Sequence, residues 1–131
     1  LAYLDHLYVR QYANQQGYED AITRTRDGFL LETGYSNLFW IDQEKCWVPD
    51  FQLPYLKGVF LQALLSHLSL PIEFVNATIA QLSPTASVYT CNTLTHVRPV
   101  SSIGNQFFPR HPTWESVLQR ATTEALKDDT L

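Results

Sequence analysis

Methionine is missing from this 131-residue chain, and cysteine is held to two positions, Cys46 and Cys91. No Cys-x-x-Cys pair exists, and His6, His67, His96 and His111 stand at no metal-ligand spacing, so no metal site is expected. Both cysteines sit in apolar, strand-like runs. That fits a reducing compartment, with a single disulfide as the alternative. No apolar run approaches the ~18 residues of a membrane helix, and no signal peptide is recognisable. A cytoplasmic location is therefore expected. The nine Lys and Arg form no cluster, net charge is -4 and the pI is about 5.4. A nucleic-acid binder would carry a basic face, so that class is set aside.

What is present suits one domain: 15.0 kDa, 45% hydrophobic, with three Trp, seven Tyr and seven Phe. Leu1, Leu4, Tyr8 and Tyr12 recur at helical spacing, and Gly17 reads as the C-cap. Residues 19–25 and 29–33 read as strands around an Asp27-Gly28 hairpin turn. Residues 37–42 and 46–48 read as two more strands, turning at Gln43-Glu44, with a proline-bearing loop at 50–57. A helix is expected over 58–68, a strand over 72–76, a short helix over 78–82 and a buried strand over 87–91. A polar turn at 92–96 leads into a strand over 97–103 and a turn at Gly104-Asn105. Thr113 reads as the N-cap of a last helix, 114–127. The order predicts one mixed α/β or α+β domain over residues 1–131.

Four segments carry a resemblance. Residues 32–40 read ETGYSNLFW and resemble the E-x-x-x-S-N-L-F-W signature of class IV aminotransferases and aminodeoxychorismate lyases. Residues 89–100 read YTCNTLTHVRPV and resemble the strand-turn-strand ending in C-N-x-L-x-x-V-x-P-V of the lyase branch. LPYLKGVFLQALL, residues 53–65, stands where the family has an L-x-G-[IV]-T-R helix start. LAYL, residues 1–4, resembles the segment after the catalytic lysine, K-x-L-N-x-L.

The resemblance implies the larger, C-terminal domain of a fold-type IV enzyme, a barrel-like mixed sheet with flanking helices. It also implies pyridoxal 5'-phosphate as cofactor, an amino substrate, a smaller N-terminal domain beside this one, and a homodimer. Glu32 matches the acid that pairs with the cofactor's ring nitrogen, where a carboxylate favours the protonated ring. From periodicity alone, a solvated strand-end glutamate would read the same way. Gly58 and Val59 match residues whose backbone N–H groups bind the phosphate at a helix start. Asn92 and Thr93 match the turn that meets phosphate and substrate, and Thr95 and His96 stand on its substrate side. Tyr3 stands where relatives place a tyrosine near the cofactor. Arg98 reads as a surface residue, and Lys57 as a loop cation near the phosphate.

The chain also departs from the pattern. Phe60 occupies the family's threonine position, Leu61 its arginine and Ala2 its asparagine. Its lysines are Lys45, Lys57 and Lys127, and none follows the catalytic pattern, which puts the lysine two residues before Leu1. The first residues read as a helix interior without a cap, so a piece of a longer protein, inactive alone, is expected. For the parent the resemblance implies an aminodeoxychorismate lyase. The alternatives are a branched-chain or D-amino-acid aminotransferase, and a non-catalytic homologue acting as a binding module.

Overall fold

The computed structural model describes residues 2–128, with side chains from residue 8 onward; the side chain of Tyr3 lies outside the described residues. In chain order the elements are α1 (Ala2–Gln15), β1 (Ile22–Arg24), β2 (Leu30–Thr33), β3 (Asn37–Asp42), β4 (Lys45–Pro49), α2 (Val59–His67), β5 (Ile72–Val75), a single 3-10 turn (Ile79–Gln81), β6 (Ser87–Asn92), β7 (His96–Pro99), β8 (Ser102–Ile103), β9 (Gln106–Phe107) and α3 (Pro112–Ala125). This is the mixed sheet with flanking helices that the sequence implied, although the strands do not close into a barrel.

β3 organises the sheet. Its first residue pairs with β2 (Asn37 with Glu32) and its far end pairs with β4 (Asp42 with Lys45). Along its other edge it pairs with β6 from Asn37–Cys91 to Ile41–Ser87. β5 joins β4 in parallel, and β7 extends β6 through the Asn92–His96 pair. The sequence NLFWID is apolar at consecutive positions because both faces of β3 are covered. Phe39 and Ile41 face a core shared with Leu64 of α2 and Leu118 of α3. Leu38 and Trp40 face a second core with Leu82, Val88 and Phe108. Burying each of the larger β3 side chains contributes about 1.5–3 kcal/mol.

Three local expectations need correction. The strand expected over 97–103 is broken after Pro99, the last residue of β7. Proline offers no N–H to extend a ladder, and after one further bond, Val100 N–H to Val88 O at 2.8 Å, the chain turns into the β8–β9 hairpin. The last helix is capped by His111, not Thr113, with Pro112 as its first residue, where a missing N–H is harmless. β1 is only three residues long, because a bulge between Ile22 and Arg24 shifts its register against β2. The Gln43-Glu44 turn stands as expected, with both residues left-handed at φ 55° and 59°.

Candidate functional site

Three loops meet where β3 begins, and SNLFW holds them there. Ser36 and Asn37 are its first two residues. Asn37 is buried, and its side chain reaches across to the loop before α2. Its Nδ2 donates to the Leu56 carbonyl at 2.7 Å, and its Oδ1 accepts from the Gly58 N–H at 3.1 Å. Ser36 Oγ accepts from Asn92 Nδ2 at 2.9 Å, tying in the β6–β7 turn. The Glu32-bearing hairpin, the start of α2 and the β6–β7 turn are thus stapled by two adjacent side chains.

Glu32 is the buried carboxylate of this corner, 9% exposed, opposite Asn37 in the ladder. Thr23 Oγ1 donates to its backbone carbonyl at 3.1 Å, which fixes the strand that carries it. Tyr55 lies close by and was missed by sequence reading. Its hydroxyl donates to the Pro49 carbonyl at 2.6 Å. Burial pushes its phenol above the ordinary range, and the Asp50 and Glu32 carboxylates add to this. No sequence signal marks a tyrosine in an irregular loop, because its relation to Glu32 exists only through space.

At the start of α2, the Gly58 N–H, expected from the sequence to meet a phosphate, is given instead to Asn37, because the buried Asn37 side chain lies against the loop; the Gly58 carbonyl accepts the first helical bond, from Gln62 N–H at 3.2 Å. The first-turn N–H groups of α2, beginning with Val59, point out along the helix axis and form an anion-attracting end. Lys57 is pinned within its own loop. Its Nζ donates to the Leu53 carbonyl at 2.6 Å and lies 4.4 Å from the Tyr55 ring centre.

In the β6–β7 turn the Asn92 side chain is fully engaged. Its Oδ1 accepts from Leu94 N–H at 2.8 Å, Thr95 N–H at 2.7 Å and Thr95 Oγ1 at 3.1 Å. Thr93 stands exposed on the turn. Thr95 and His96 line a groove of about 310 Å³ between this hairpin and α3, together with Tyr89, Arg110 and Glu115. The Tyr89 hydroxyl is buried with no hydrogen-bond partner among the described residues. Burial holds its phenol above the ordinary range against an opposing pull from the nearby Ser87 hydroxyl, which itself donates to the Pro109 carbonyl at 3.1 Å. Arg98 points away, exposed and 3.7 Å from Glu19. The structure thus brings Glu32, Gly58, Val59, Asn92 and Thr93 around one corner, sets Thr95 and His96 on its α3 side, and excludes Arg98.

Cys46 and Cys91 are free and buried, and burial raises both thiols to about 12, so neither is a nucleophile near neutral pH. Among the described residues no group of His, Cys, Asp and Glu could hold a metal ion, and no helix is long and apolar enough to cross a membrane.

A sequence model described as Amino-transferase class IV matches residues 1–103. The aminodeoxychorismate lyase of Vibrio harveyi is 32% identical over 89 residues, which cover 66% of this chain and 33% of that protein. Among solved structures, the PLP-bound form of a hypothetical aminotransferase from Mycobacterium tuberculosis superposes with a TM-score of 0.85 at 24% identity, over 97% of this chain and 45% of that one. The branched-chain aminotransferase of Thermoproteus uzoniensis with norvaline gives 0.83 at 20% identity, over 98% and 44%. At such identities these structures speak for the fold, and the chain spans less than half the length of each of these relatives.

Proposed function

Because this chain belongs to the amino-transferase class IV family, we propose that it is the cofactor-holding domain of a pyridoxal phosphate enzyme, the parent being an aminodeoxychorismate lyase. Such an enzyme eliminates pyruvate from 4-amino-4-deoxychorismate and leaves p-aminobenzoate, a folate precursor. The observation that carries the reading is the stapled corner, where a buried carboxylate, a helix start and an Asn-organised turn converge.

The residues present fit the cofactor. Phosphate needs free N–H donors at a helix start, and since the Gly58 N–H is given to Asn37, the donors are those that follow it in α2. Glycine at position 58 lets Asn37 lie close against the loop, since a Cβ there would come within 2.5 Å of Asn37 Oδ1. Val59 and Phe60 would offer backbone N–H groups, and Thr93 a hydroxyl and an N–H, to the phosphate. Glu32 would hold a proton on the ring nitrogen, its burial strengthening that pairing. When bound, the cofactor supplies an electron sink for a bond broken at the substrate α-carbon. Thr95 and His96 would meet the substrate from the turn's α3 side. The side-chain hydroxyl that the family pattern has at position 60 is absent, so more of the phosphate grip falls on main chain. The catalytic lysine is expected upstream of Leu1, so these residues alone would bind without turnover.

A second reading is a branched-chain aminotransferase parent; a sequence match of 24% identity over 102 residues to a branched-chain-amino-acid aminotransferase-like protein of Arabidopsis thaliana supports it. The D-amino-acid aminotransferase and non-catalytic alternatives have no comparable observation behind them. A cytoplasmic homodimer completed by an N-terminal domain accompanies the main reading.

The test uses the full-length protein with pyridoxal phosphate. A visible band that borohydride bleaches, leaving a modified lysine just upstream of Leu1, is the expected result. Release of p-aminobenzoate from aminodeoxychorismate then supports the lyase, and 2-oxoacid-dependent amino transfer supports the second reading. With neither band nor adduct, the enzymatic reading fails.

A further inference from the structure

The two loops assigned to the phosphate are also joined by a ring contact, outside the polar staples. Phe60 is the second residue of α2, and its ring stacks on the His96 imidazole, with centroids 5.4 Å apart and planes at 20°. Phe60 is almost fully buried, at 1% exposed, and so provides a fixed platform. His96 pairs with Asn92 across the foot of the β6–β7 turn. Its φ is 59°, a left-handed conformation uncommon outside glycine, which histidine and asparagine enter more readily than most residues. Among the described residues no hydrogen bond holds the imidazole, so the stack is the directional contact that orients it.

The consequence concerns spacing. An anion shared between the turn and the first turn of α2 is gripped by both only if their separation is held within about half an ångström. Ser36–Asn92 and Asn37–Gly58 tie each loop to β3, yet neither joins the loops to each other. The Phe60–His96 stack does. Position 60, where the family pattern has a hydroxyl, carries here one half of that link.

Resting on the cofactor reading above, we propose that His96 is a positioning residue of the phosphate cradle, clamping the Thr93 turn against the start of α2 through its stack on Phe60. Its removal should weaken the grip on phosphate while leaving contacts to the pyridine ring intact.

The experiment compares the dissociation constants of pyridoxal phosphate and of pyridoxal, which lacks the phosphate, in the full-length protein by absorbance titration. His96→Asn suits the purpose, because asparagine tolerates the left-handed backbone while removing the ring. Phe60→Leu removes the other partner and keeps an apolar side chain. Each variant should lose about five-fold or more in affinity for pyridoxal phosphate and less than about two-fold for pyridoxal, the size expected of one aromatic stack. The double variant should lose little more than either single one. Parallel losses for both ligands would mark a general structural role and overturn the inference, as would an unchanged preference for the phosphorylated form. Wild-type protein that binds neither ligand would overturn the cofactor reading itself, and this inference with it.

Discussion

Asn37 Oδ1 occupies the place where a side chain on Gly58 would begin. The amide oxygen accepts the Gly58 N–H at 3.1 Å, and a Cβ built on Gly58 would approach it to 2.5 Å. Gly58 has φ -63° and ψ 149°, which any residue adopts, so the demand for glycine is steric and not conformational. Gly58→Ala should therefore destabilise the protein by about 1–3 kcal/mol. Asn37→Ala, which leaves the Leu56 carbonyl and Gly58 N–H without their partner, should cost about as much. Denaturant titration of both single variants and the double variant checks the link. The two costs should fall short of additivity by at least about 0.5 kcal/mol, since the shortened side chain at position 37 no longer meets the new methyl group. Strict additivity would contradict it.

Glu32→Gln keeps the shape of the buried corner and removes its charge. In the full-length protein the cofactor should still bind, while turnover falls by about 100-fold or more, as expected when a preorganised charge is lost from a buried site. Steady-state kinetics beside a cofactor titration separates the two effects. Unchanged turnover would remove Glu32 from the chemistry.

The β3–β4 turn is built from Gln43 and Glu44, both left-handed, in a two-residue hairpin that favours Asn-Gly. Replacing the pair with Asn-Gly should stabilise the fold by about 0.5–1 kcal/mol. The turn is far along β3 from Glu32, so cofactor affinity should not move. A thermal melt with a binding titration reads both.

Burial raises the Cys46 and Cys91 thiols from 9.0 to about 12. The folded chain thus keeps protons that the unfolded chain gives up first. The stabilisation is complete below about pH 9 and fades as pH rises toward about 12. The denaturation midpoint should fall between about pH 8 and pH 10, and less steeply in a Cys46→Ala/Cys91→Ala variant. Alkylation of the native protein at about pH 8 should be slow compared with the unfolded chain. Fast native alkylation would show that the thiols are accessible.

The sequence made the core strands legible because their pattern is strong. NLFWID is apolar on both faces, and β3 matches the expected range residue for residue. Glu32 was legible only through SNLFW beside it, since its own alternation marks a surface residue. That Ser36 and Asn37 are the staples could not be read. The motif gives their presence, while their partners Asn92, Leu56 and Gly58 lie 19 to 56 residues away. Tyr55 escaped for the same reason. The misplaced cap of α3 was a local error: Pro112 belongs at a first helical position, and that signal outweighs a threonine one residue later. Pro99 likewise marked the end of β7, where the apolar Val100 and Ile103 suggested continuation.

The Asn92 side chain bonds to the backbone of its own turn at Leu94 and Thr95, and to Ser36 across the sheet. Ordering that turn therefore belongs to the folding of the chain, where the loss of conformational freedom is offset by the whole core. A ligand that meets the turn finds its amides already aligned and loses little affinity to arranging them. Changing Asn92 would move that entropy loss from folding to binding, so every ligand that needs the ordered turn would lose affinity by the same factor, while ligands that do not touch the turn would lose none.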